Sequence, residues 1–144
     1  MEWRAPDVVR GVGLADLATA GERGMLEGWL RWHRETLLRE CAGLGAERLA
    51  RAAVEPSNLS LLGLVRHMAE VERWWFRRDF ARYRAETAAR DAAVAGHSLD
   101  ETLTSARGTV LSLRWVHVLM IQEYARHNGH ADLLRERTDG TTGD

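Results

Sequence analysis

In the last third of the chain, Leu113, Val116, Met120, Glu123, His127, His130 and Leu134 follow one another at spacings of 3, 4, 3, 4, 3 and 4. That alternation marks the seam a packed helix turns toward its neighbours. Three seam positions, Glu123, His127 and His130, carry polar side chains where the pattern asks for leucine. Burying such groups without partners costs about 1–3 kcal/mol each, so the fold has to supply partners. A metal ion answers two imidazoles and a carboxylate most simply.

The same period predicts a first helix from Glu22 to about Leu44. Leu26, Leu30, His33, Leu37, Cys41 and Leu44 form its apolar face, and Gly43 and Gly45 lie where it should stop. A second helix starts at Leu61, after several N-cap candidates in Pro56-Ser57-Asn58-Leu59-Ser60. One of its faces shows Leu64, His67 or Met68, Val71, and Trp74 or Trp75. A third segment, Ala81 to Ala95, is rich in Ala, Arg and Glu and only weakly amphipathic. Gly96 to Asp100 break it, and a loop or short helix runs on to Gly108. The last helix begins near Thr109 or Ser112 and ends around Arg137. Residues 1–20 read as an extended N-terminal arm and 139–144 as a flexible tail. No strand pattern or internal repeat stands out. The expected fold is all-α: one domain over residues 1–144, a four-helix bundle with up-down connections.

A net charge of −1 gives no reason to expect nucleic acid as a partner. No apolar run approaches the 18 or so residues of a membrane span, and charges interrupt the N-terminus where a signal peptide needs an apolar core. A single cysteine, Cys41, excludes an intramolecular disulfide and suits a reducing cytoplasm. Its place on the first helix's apolar face makes it a buried thiol. All 20 basic residues are arginine, a bias of GC-rich genomes and no guide to mechanism. Six tryptophans in so short a chain, among them Trp29, Trp32, Trp74, Trp75 and Trp115, suggest that some indoles cover a second surface such as a dimer contact. Arg77, Arg78, Arg82 and Arg84 read as a solvated face.

Candidate chemistry gathers on two helices. His67 sits on the second helix's core face, and Glu123 and His127, one turn apart, reach the same point beside the last helix. One ligand from a facing helix plus a Glu-x-x-x-His pair makes three protein ligands and leaves coordination positions open, the layout of a catalytic divalent-metal site. His130 has three roles open to it: a fourth ligand, a partner that orients His127, or a hydrogen-bond donor to substrate. His33 either approaches the same pocket or is a core-edge histidine bonded to a carbonyl. His117, one position off the seam, reads as structural, and His97, in a polar turn, as solvated. Arg126 and Arg135 are placed to meet a substrate carboxylate.

The stretch Glu123-Tyr-Ala-Arg-His127-Asn-Gly-His130, with Leu64-Val-Arg-His67-Met-Ala-Glu70 on the second helix, resembles the DinB-like (YfiT-like) metal-binding four-helix bundles. Residues 125–137 are especially similar to an actinobacterial branch of that superfamily, which includes mycothiol-dependent enzymes. One departure is Leu119, where that branch usually carries a histidine. The resemblance implies that His67, Glu123 and His127 bind zinc, nickel or a similar divalent ion. Glu123 in place of the pair's first histidine is also similar to the mycothiol-dependent maleylpyruvate isomerases. The implied activity is thiol S-transfer or isomerisation, with mycothiol as thiol cosubstrate and an electrophile as second substrate. A homodimer is implied as well. The alternative is a non-catalytic, metal-stabilised dimeric bundle.

Overall fold

The computed structural model describes residues 3–73, 80–104 and 108–142. Trp74, Trp75, Arg77 and Arg78 lie outside the described residues, as do the side chains of Arg82 and Arg84. The chain is mostly helical. Its elements are α1 (Leu14–Thr19), α2 (Glu22–Cys41), α3 (Ala46–Ala50), α4 (Leu61–Arg73), α5 (Phe80–Val94), β1 (Thr102–Thr104), β2 (Val110–Ser112) and α6 (Leu113–Asp139).

The expectation of a strand-free chain is corrected by a small antiparallel hairpin, in which Thr102 pairs with Ser112 and Thr104 with Val110. Both strands have only three residues, too few for a period-of-two pattern to register. Ser112 ends β2 and also caps α6, its hydroxyl accepting from Trp115 N at 3.1 Å. Ser60 does the same for α4, accepting from Gly63 N at 3.1 Å. Gly140, at φ 78°, closes α6 in the left-handed conformation that glycine adopts without strain.

The four long helices do not alternate. Arg114 pairs with Glu22, Asn128 with His33 and Arg135 with Glu40, so numbering rises together along α2 and α6 and the two run parallel. An up-down bundle would set its first and last helices antiparallel. Glu72 meets Tyr124 while His67 meets His127, so α4 runs against α6. Asp91 meets Arg34 while the His97 carbonyl meets Arg23, so α5 runs against α2. The order is therefore up, down, down, up. Helical periodicity gives each helix an apolar face but carries no information on direction.

Leu30, Leu37 and Cys41 of α2, Leu61, Leu64, Val65 and Met68 of α4, and Met120, Tyr124, Ala131 and Leu134 of α6 form the centre of the core. The N-terminal arm is bound along α2 and contains α1. Ala5 N donates to Leu44 O and Gly43 N to Ala5 O, both at 2.9 Å. The Arg10 guanidinium lies 3.6 Å over the Trp32 ring and donates to Thr36 Oγ1 at 2.9 Å. Trp32 therefore serves the arm, and Trp29 packs edge-on against it at 6.4 Å.

Candidate metal centre

Along α6 the buried residues are Leu113, His117, Met120, Tyr124, His127, Asn128, Ala131 and Leu134. The helix is thus turned by about one position from the seam read in the sequence. Val116 and Glu123 move to its flank, while His117 and Tyr124 enter the core. Both bring a polar atom and both find a partner for it. His117 Nδ1 donates to Leu113 O at 3.0 Å, and the Tyr124 hydroxyl donates to Glu72 Oε1 at 2.6 Å. Burial is the main reason His117 is held below the usual imidazole range.

This rotation sets the character of the site. Glu123 is half-buried, His127 is buried, and His67 of α4 is exposed, which corrects its placement on the core face. On α4 the core positions fall to Leu64, Val65, Met68, Ala69 and Glu72, and His67 lies beside them at the rim facing α6. Each of His67, Glu123 and His127 offers a ligand atom within 4.8 Å of the other two. The His67 and His127 rings meet edge to face with centroids 4.6 Å apart, and His127 Nε2 lies 3.6 Å from Glu123 Oε2.

The donor set suits a divalent ion. Ligand distances of about 2.0–2.2 Å place tetrahedral donors about 3.4 Å apart, and the exposed His67 is free to close the difference. His127 is held below the usual imidazole range, first by burial and then by the neighbouring His67 ring. It is therefore neutral near pH 7, as a ligand must be. The centre is a His/Glu cluster able to hold a metal and open to solvent on its His67 side.

The remaining candidates divide. His130 meets His127 edge to face with centroids 5.6 Å apart and stays outside the three-residue cluster. Its Nδ1 and that of His127 are buried and have no hydrogen-bond partner among the described residues. Arg126 is exposed, its Nη1 3.9 Å from Glu123 Oε1, at the mouth of the site. His33 is not brought to the cluster, because Asn128 engages its ring and its carbonyl. Arg135 is not at the site either: its Nη1 donates to Glu40 O and Ala42 O and so caps the C-terminal end of α2. His97 pairs with Glu101 in an exposed turn. Cys41 is fully buried, and burial, aided by the Glu40 charge, pushes its thiol up to about 12.

The sequence reading missed a buried charge network. Arg34 Nε and Nη2 grip the two Glu72 oxygens at 2.8 and 3.1 Å, and Nη1 reaches both Asp91 oxygens at 3.1 Å. A signal for it existed. Leu30, Arg34, Leu37 and Cys41 keep helical spacing as well as the set containing His33 does, and Leu61, Leu64, Met68 and Glu72 run at 3, 4 and 4. A charged residue at a core position calls for a partner, and here each supplies the other's.

No described helix is long and apolar enough to cross a membrane. The family model described as Mycothiol-S-transferase matches residues 25–82 and 77–140. No curated protein and no solved structure matches the chain significantly.

Proposed function

The chain belongs to the mycothiol-S-transferase family, and on that premise we propose that it is a metal-dependent enzyme that joins the sulfur of mycothiol to an electrophile. The observation that carries the reading is the His67, Glu123 and His127 cluster, three donors from two helices with one side open. Zinc or nickel is the ion we propose for it. Isomerisation assisted by the same thiol is the other outcome the site would permit.

A divalent cation in this place favours the thiolate, the nucleophilic form, over the thiol. His127 offers an unprotonated ring nitrogen because burial disfavours its cation. Two neutral imidazoles and one carboxylate balance one of the ion's two charges, so the site draws an anionic ligand. Arg126, exposed at the mouth, is placed to hold a substrate carboxylate. His130 orients His127 or donates to substrate. In the transfer, a sulfur lone pair makes the new S–C bond, the leaving group keeps the electrons of the bond it breaks, and the thiol proton passes to solvent.

We take the whole chain to act as one domain in the cytoplasm, where low-molecular-weight thiols are kept reduced. A second reading, a non-catalytic metal-stabilised homodimer, is favoured by Trp115, Val118 and Leu133, which are 46, 51 and 55 % exposed on the outer face of α6. The deciding experiment is elemental analysis of protein purified without added metal, followed by assay with mycothiol and an electrophilic acceptor. About one zinc or nickel per chain, lost in His67→Ala and His127→Ala, with thiol transfer by the wild type, supports the enzyme. Bound metal without transfer, in a chain that sediments as a dimer, supports the second reading. A chain that takes up no metal on titration overturns both.

A further inference from the structure

We infer that Tyr124 and Glu72, anchored by Arg34, are positioning residues for the candidate metal centre and set how tightly it holds an ion; the inference rests on the metal reading above. Tyr124 is 0 % exposed and Glu72 1 %, and a 2.6 Å hydrogen bond joins them across the α4–α6 interface. Tyr124 follows Glu123 directly and precedes His127 by three residues. Glu72 follows His67 on α4 by five. Hydroxyl and carboxylate thus join the same two helices that carry the three donors, within about a turn of them on each.

Glu72 accepts from Tyr124 and twice from Arg34, whose third nitrogen continues to Asp91 on α5. Three long helices therefore meet at the Glu72 carboxylate, and Arg34 links α5 to them through Asp91. A buried ion pair is weak evidence for net stability, since apolar residues of similar volume often do as well. It differs from an apolar contact in direction. Leucines tolerate small rotations of one helix against another, whereas a hydroxyl 2.6 Å from a buried carboxylate does not. A site whose ligand distances must hold to about 0.2 Å needs that restriction. The observed rotation of α6 agrees, because it places Tyr124 inward on Glu72 and Glu123 on the flank facing His67.

The test is Tyr124→Phe, which keeps the ring and removes only the hydroxyl. Zn²⁺ affinity is measured by competition with a chromogenic chelator, and the thermal midpoint of the metal-free protein by circular dichroism. Leu17→Ala, which thins the packing of α1 on α2 away from both α4 and α6, serves as the control for lost stability. The expected result is Zn²⁺ binding about ten-fold weaker or more in Tyr124→Phe, the scale at which partners behind metal ligands act, with Leu17→Ala binding as the wild type does. Wild-type affinity in Tyr124→Phe overturns the inference. So does a loss of affinity in both variants that tracks their loss of thermal midpoint. A wild type that binds no Zn²⁺ instead overturns the metal reading itself, and the inference with it.

Discussion

Asn128 donates through Nδ2 to the carbonyl oxygen of His33 at 3.0 Å, and the same nitrogen lies 3.3 Å from His33 Nδ1. The amide thereby engages both the ring and the backbone of His33, which stays outside the donor cluster. Burial, and then the Arg10 charge, keep this imidazole below its usual range. His33→Ala should therefore leave metal content unchanged, whereas His127→Ala should abolish it. Elemental analysis of the two variants side by side checks the assignment, and loss of metal in His33→Ala would contradict it.

His130 should separate from the ligands in the same way. His130→Ala is expected to keep its metal and to lose thiol-transfer activity, because the ring neighbours His127 without joining the cluster. If the variant loses the ion, His130 is a ligand and the three-donor assignment needs revision.

Removing one member of the buried charge network should cost far more than a surface change. Arg34→Ala leaves Glu72 buried with only the Tyr124 hydroxyl among the partners described above. Loss of a buried ion-pair partner costs about 3–5 kcal/mol. Denaturant unfolding should show a free-energy loss of that order, seen as a lower midpoint with an unchanged slope.

Three histidines make the metal-free fold sensitive to acid. His33, His117 and His127 are all held below their usual range, mainly by burial. The unfolded chain then binds more protons than the folded one between the ordinary imidazole value of about 6.5 and the lower folded values. Their contribution is present in full above that value and is lost as the pH falls below it. Thermal midpoints of the metal-free protein should fall between pH 7 and pH 5, and His117→Gln should flatten the profile.

Cys41 should take no part in thiol chemistry. It is fully buried and its thiol is pushed up to about 12, so almost none is thiolate at neutral pH. A colorimetric thiol reagent should leave it unlabelled in the native protein and label one thiol per chain in denaturant. Cys41→Ala should retain transfer activity, and a large loss of kcat would show that the chain's own sulfur is involved.

The amino-acid sequence by itself determined most of the helices and the Glu-x-x-x-His pair. Apolar spacing predicted three long helices and composition a weakly amphipathic fourth; α2, α5 and α6 lie close to their expected spans, and α4 starts at the expected Leu61. The Glu-x-x-x-His pair needs only helical geometry to converge, because one turn brings residues i and i+4 together whatever surrounds them. Glu123 and His127 could therefore be singled out from spacing alone, whereas bringing His67 beside them depends on how α4 packs on α6. Only the tertiary structure decided the direction of the helices, the one-position turn of α6 and the choice between adjacent polar residues for the core. His33 and Arg34 fit the period of α2 equally well, as do Glu123 and Tyr124 that of α6. Arg34 and Tyr124 went inward because Glu72 waits there for both, and a buried polar group is tolerated where a partner meets it. Such partners lie 38 and 52 residues away in the chain, beyond the reach of any local pattern.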